Sequence, residues 1–187
     1  MRTLAKRILI AGASLLALVV CVATVFFKLA EHHVAARMRP PQIAPETEAA
    51  NDMAFRTLDG QVKHLADAKG RVVFLNLWGT WCIQCVAEMP TVQRLYERYR
   101  NDPRVEFLVV SRLDTASQVR LYARTGHYDL PFYVTHDDEI PAAMQLGQYP
   151  ATFIYAKDGS LAMKHVGAAD WADDSVVNFI DRLRDQQ

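Results

Sequence analysis

The sequence predicts an α/β domain, a mixed central sheet with helices on both faces, preceded by one N-terminal transmembrane helix. Three observations carry this. An uncharged apolar run fills residues 8–27, buried-type strands alternate with helices beyond residue 53, and an antiparallel hairpin and one more helix close the chain. The 187 residues carry 21 Lys and Arg against 21 Asp and Glu, so length and charge allow one ordinary domain plus an addition at the front. No nucleic-acid partner is expected of such a chain.

The front is the stretch ILIAGASLLALVVCVATVFF, long enough as a helix to cross a hydrocarbon core of roughly 30 Å. A cleavable signal would have an apolar stretch of about 7 to 15 residues and a small-residue cleavage site. This run instead continues through Val25, Phe26 and Phe27 into Lys28, which reads as an uncleaved anchor. Basic residues flank it on both sides, so counting positive charge leaves its orientation nearly tied. A short tail before it and a long domain after it suggest a signal-anchor with the domain exported. Cys21 is an apolar filler within the span. The expected division is a tail over residues 1–7, an anchor over 8–27, a Pro-rich polar tether over 28–52 and a domain over 53–187. His32 and His33 fall in the tether and read as solvated, with no fixed third ligand to make a metal site.

Within the domain, AFRTLDGQVKHL reads as a hairpin around Asp59-Gly60. RVVFLNLW, residues 71–78, is nearly continuous apolar and β-branched, as a strand buried on both faces should be. A helix from Cys82 to about Arg100 follows, then a second buried strand, VEFLVVS. TASQVRLYARTG gives a helix with Thr115 as cap and Gly126 as stop. FYVT is a short strand and EIPAAMQLG a short helix. TFIYA and LAMKHVG flank Asp158-Gly159 as a second hairpin, and a last helix runs from Trp171 to Leu183.

The chemistry is concentrated in WGTWCIQCVAEMP, residues 78–90. A strand ending at Trp78 and a helix beginning at Cys82 place the first sulfur at a helix N-terminus. There, unpaired N–H groups and the helix dipole favour thiolate over thiol. Cys82 is therefore the expected nucleophile and Cys85, one turn inward, the resolving thiol. A C-x-x-C pair can also be half of a zinc site, but the only other cysteine lies in the apolar run and the domain's histidines are scattered singly. A covalent haem is excluded because Val86 stands where the attachment motif needs histidine. No metal or other cofactor is expected.

The run WGTWCIQCVAEMP, the later YPATFIYAKDG and the N-terminal anchor together resemble the membrane-anchored TlpA/ResA-like branch of the thioredoxin superfamily, over essentially the whole domain from about Met53. That branch includes reductases of cytochrome c maturation. The resemblance implies a thioredoxin-like fold and protein thiol–disulfide exchange through a redox-active Cys82–Cys85 disulfide. It also implies an extracytoplasmic domain on the bacterial inner membrane, in the periplasm or its equivalent. Its partners would be protein disulfides or dithiols as substrates and a membrane electron-donor thiol protein.

Spacing alone makes Glu88 a solvated helix residue; the resemblance makes it the acid/base group for the buried thiol. Asn76 stands where thioredoxin itself carries a buried aspartate. Trp81 is expected to shield the site and offer an apolar surface, while Trp78 reads as core. Pro90 should remove a hydrogen bond within the helix and bend it. The resemblance further makes Pro150 a cis-proline opposite the cysteines, leaving the Tyr149 backbone to pair with an extended substrate segment. Reduction is the expected direction. An oxidase or isomerase would use the same sulfurs. A redox-inert metallochaperone and a thiol peroxidase are the readings from other classes, weakened by the two-residue spacing and by the missing P-x-x-x-T-x-x-C pattern.

Overall fold

A computed structural model describes residues 2–43 and 52–186. α1 (Arg2–Ala35) is one long helix, followed by β1 (Ala54–Thr57), β2 (Val62–His64) and β3 (Val72–Trp78). α2 (Ile83–Tyr99), β4 (Val105–Arg112), α3 (Ala116–Gly126) and β5 (Phe132–Thr135) come next. β6 (Ala151–Tyr155), β7 (Leu161–Val166) and α4 (Asp174–Asp185) complete the order. The seven strands form a single sheet in the order β2-β1-β5-β4-β3-β6-β7. β3, β4 and β5 are parallel, and β1, β2, β6 and β7 join antiparallel.

The central position of β3 explains its apolar run, interrupted only at Asn76: all of its residues are buried, one set on each face. Val72, Phe74 and Trp78 share a core with residues of α2, α3 and α4, while Val73, Leu75 and Leu77 face a second core. Because β3, β4 and β5 step across the sheet in one direction, crossovers of a single hand put α2 and α3 on the same side. The opposite face is covered by short 3-10 helices, Leu65–Ala68 and Ala142–Met144, so the helix expected in EIPAAMQLG is a 3-10 turn.

Helix ends follow local side-chain chemistry. Thr115 accepts the N–H of Gln118 and starts α3, but the left-handed residue that closes it is His127, at φ 56°, one position after the expected Gly126. Asp173 caps α4 through the Ser175 N–H, so Trp171 lies in the preceding loop and not in the helix. Pro90 sits inside α2, which continues through it to Tyr99.

The helix α1 contains a span from Gly12 to Ala35, long and apolar enough to cross a membrane, in which an 18-residue stretch has mean hydropathy 2.3. Residues 28–35, expected as tether, are helical, with His32 and His33 exposed in the last turn. This end of α1 packs against α2, and Phe27, Ala30, Glu31 and Val34 are partly covered. Beyond it, Pro41 is buried and Ile43 packs against the core beneath α2 and α4. Part of the expected tether is thus docked on the domain. The remainder, residues 44–51, lies outside the described residues.

Candidate active site

The site forms where β3 ends and α2 begins. Cys82 is the N-cap of α2, extended at φ −95°, and its Sγ accepts the Cys85 N–H at 3.2 Å. A sulfur thus occupies the place usually held by a serine or aspartate oxygen, at the positive end of the helix. Cys82 and Cys85 form a disulfide, with Cα atoms 5.2 Å apart. Cys82 is 8% exposed and Cys85 fully buried, so only one of the two sulfurs meets a partner.

Two loops frame the Cys82 sulfur. The Tyr149–Pro150 peptide bond is cis, and the Tyr149 carbonyl oxygen lies 3.6 Å from Cys82 Sγ. In the disulfide this is a contact, since that sulfur has no proton to donate. Trp81 is half exposed; its indole Nε1–H donates to the Arg112 carbonyl at 3.2 Å and its ring meets the Tyr149 ring edge-on. The Arg112 guanidinium lies 4.8 Å over the Tyr149 ring and pairs with Asp137, which holds it in place. Just before the cysteines, the carboxylate of Asp114 accepts the Thr80 N–H, the Thr80 hydroxyl and the Ser111 hydroxyl. That network fixes the turn from which Cys82 projects.

Beneath the cysteines lies Glu88. It is fully buried, because α2 turns that face onto β3 and onto the loop after β7. The solvated position suggested by spacing is therefore not the one observed. Three N–H groups converge on its carboxylate: Asn76 Nδ2 at 2.9 Å on Oε1, Trp171 Nε1 at 2.8 Å and the Ala169 amide at 3.1 Å on Oε2. Burial nevertheless dominates and raises its pKa from 4.5 to about 7, the three donors pulling the other way. Asn76 also donates to Thr152 Oγ1 at 2.8 Å, the residue paired with it across β3 and β6.

The structure thus brings Cys82, Cys85, Glu88, Trp81, Tyr149 and Pro150 to one end of β3. Trp78 is buried core against Tyr122 and Phe132. Sequence reasoning missed Trp171 and the Ala169 amide, which lie more than eighty positions beyond Glu88, and the Thr80–Asp114 clasp. A period or a spacing contains no signal for such contacts. A cavity of about 400 Å³ lined by Leu65, Arg71, Val73 and Tyr155 lies at the other end of β3, away from the sulfurs. Among the described residues no cluster of three or more His, Cys, Asp or Glu could hold a metal ion.

Comparison with known proteins adds a family. The model of the AhpC/TSA family matches residues 42–164. The chain is 37% identical over 124 residues to the thioredoxin-like protein YneN of Bacillus subtilis, covering 65% of this chain and 72% of that protein. It is 35% identical over 120 residues to the thiol-disulfide oxidoreductase ResA of Bacillus cereus, covering 63% and 68%. A crystal structure of a thiol:disulfide interchange protein from Chlorobium tepidum superposes with a TM-score of 0.60 over 75% of this chain and 99% of that one. At 19% identity that likeness speaks to the fold.

Proposed function

The chain belongs to the AhpC/TSA family and is a thiol-disulfide oxidoreductase of thioredoxin-like fold, and on that premise we propose that it reduces disulfides of exported proteins from a membrane-anchored position. The observation that carries the reading is the placement of Cys82 as N-cap of α2, its sulfur bound by a helix amide and facing the cis-proline loop, with Cys85 buried behind it.

In the reduced form the Cys82 thiolate attacks one sulfur of a substrate disulfide, forming a mixed disulfide and expelling the substrate's other sulfur as thiolate. Cys85 then loses its proton and attacks Cys82 Sγ. The second substrate sulfur leaves, and the Cys82–Cys85 disulfide closes. Two electrons pass to the substrate. A membrane thiol protein returns them by the reverse exchange.

Glu88 takes the Cys85 proton. It is buried one helical turn beyond that cysteine, and a pKa of about 7 poises it between acid and base at neutral pH. Asn76 suits this role better than a second carboxylate would. Its amide donates to the Glu88 carboxylate, and on rotation its oxygen would accept from the carboxylic acid, with the Thr152 hydroxyl adapting to either orientation. Trp81, Tyr149 and Pro150 form the substrate wall. An extended segment laid against the Tyr149 backbone would present its sulfur to Cys82.

We assign residues 1–7 to a tail, 8–27 to the bilayer, 28–52 to the connection and 53–187 to the catalytic domain. That domain lies on the outer side of the bacterial inner membrane, where cytochrome c maturation is a fitting context for a reductase of this kind.

The test is a trap. In cells carrying Cys85→Ala, the mixed disulfides stalled on Cys82 are isolated from the cell envelope and the attached proteins identified. Exported proteins held through their cysteines are the expected result. No adduct, together with a Cys82 that alkylates no faster than a model thiol, would remove the mechanism.

A further inference from the structure

The loop that supplies two of the donors to Glu88 is itself held by the segment that follows the membrane helix. The Asp170 N–H, between Ala169 and Trp171, donates to the Arg39 carbonyl at 2.9 Å. Two residues on, Pro41 is buried, and Ile43 packs on the core that contains Trp171, Met89 and Val92. From the other side Thr91 fixes the same loop: its hydroxyl accepts the Trp171 N–H at 3.1 Å and donates to the carbonyls of Glu88 and Ala169. Trp171 is fully buried, edge-on to Phe74, with its Nε1–H on the Glu88 carboxylate. A path of direct contacts therefore runs from residues 39–43 through Asp170 to the carboxylate under the dithiol.

We propose that residues 39–43 are a strap that keeps the loop 169–171 closed over Glu88, which makes the segment linking anchor and domain a positioning element of the redox site. The proposal rests on Glu88 serving as the proton acceptor for Cys85. The strap acts on the carboxylate, by keeping water away from it and holding its donors in register. A loop freed from the strap admits water to a group whose protonation is governed chiefly by burial. The midpoint of proton transfer then falls toward the ordinary carboxylate range.

Among the described residues, these charged or titrating groups lie around this site. Tyr122 on α3 feels the Glu88 charge and is itself pushed up by burial. His165 on β7 lies edge-on to the Trp171 ring at 5.6 Å, its pKa lowered by burial. Asp170 pairs with Arg94 of α2 at 3.6 Å, and Glu31 at the end of α1 lies near Tyr122. Of these His165, lowered from its ordinary value by burial, is the group whose titration is to be told apart from that of Glu88, so it is the control.

The experiment uses the full chain with Cys21→Ala throughout, so that Cys82 and Cys85 are its two thiols, in detergent micelles, reduced and mixed with an aromatic disulfide reagent that releases a coloured thiolate. The first release reports Cys82 and the second reports resolution by Cys85. The second rate is followed against pH for the native chain, Pro41→Gly, Ile43→Ser, Ile43→Val, Glu88→Gln and His165→Asn. Pro41→Gly and Ile43→Ser should lower the midpoint by about half a pH unit or more, about threefold faster resolution on the acid limb. Ile43→Val and His165→Asn should leave it in place, and Glu88→Gln should abolish it. If the midpoint disappears in Glu88→Gln but is unmoved or raised in both strap variants, the strap proposal fails and the Glu88 assignment survives. If the midpoint persists in Glu88→Gln or vanishes in His165→Asn, the assignment of Glu88 fails and takes the strap with it.

Discussion

Replacing Glu88 by glutamine should change how the stability of the fold depends on pH. In the unfolded chain the carboxyl titrates at its ordinary value of 4.5, and in the fold, buried behind the cysteines, at about 7. The folded state therefore binds the proton more tightly. Between those two values the native protein holds a proton that the unfolded chain has lost, so stability falls as pH rises through this window and levels off above it. At about 1.4 kcal/mol per pH unit the cost of ionising Glu88 in place comes to about 3 kcal/mol. Glutamine cannot ionise and removes that slope. Its amide oxygen still accepts from Trp171 and Ala169, and its amide nitrogen donates to the Asn76 oxygen once that side chain rotates, so the substitution adds little cost that does not vary with pH. The assay is urea unfolding of the detergent-solubilised, oxidised chain at a series of pH values from about 4 to about 8, which spans that window. The native chain should lose about 3 kcal/mol more than Glu88→Gln across it. Parallel curves for the two proteins would show that the carboxylate is not ionised against burial, and the reasoning about proton transfer would lose its basis.

Two further outcomes follow from the turns that frame the sulfurs. Asp114→Ala leaves the Thr80 N–H and two hydroxyls without their acceptor in a nearly buried site; a loss of about 2–4 kcal/mol is expected by urea unfolding, with slower reaction of Cys82 as its turn loosens. Leu113 is exposed and held at φ 64°, a conformation glycine adopts freely, so Leu113→Gly should leave stability unchanged or raise it by about 1 kcal/mol in thermal unfolding. A clear loss in that variant would mean that the side chain packs against something the fold needs.

The strands and helices of the domain were legible because each is written in local chemistry. The nearly continuous apolar run of β3 reads as a strand covered on both faces, and Thr115 announces α3 through its own hydroxyl. Where a boundary depended on a residue's alternatives, the reading slipped. Trp171 looks like the first turn of a helix until Asp173 is seen to cap α4 and to leave the tryptophan free to enter the core. The Pro-rich residues after α1 read as a polar tether, yet Pro41 and Ile43 find apolar cover that no local pattern could announce. Glu88 shows the same limit most plainly, since by spacing it belongs outside and only the resemblance pointed inward.

By itself the sequence determined that two thiols would stand one helical turn apart at the start of a helix, with an apolar helix ahead of them, because spacing, capping and hydropathy are properties of neighbouring residues. The tertiary structure alone decided what surrounds them. Asn76 from β3, Ala169 and Trp171 from the loop after β7, and the segment behind the anchor meet at Glu88 only once the sheet has brought distant parts of the chain together. The protonation of a buried carboxylate is set by that company, since both the loss of water and the donors that offset it come from residues remote in the chain.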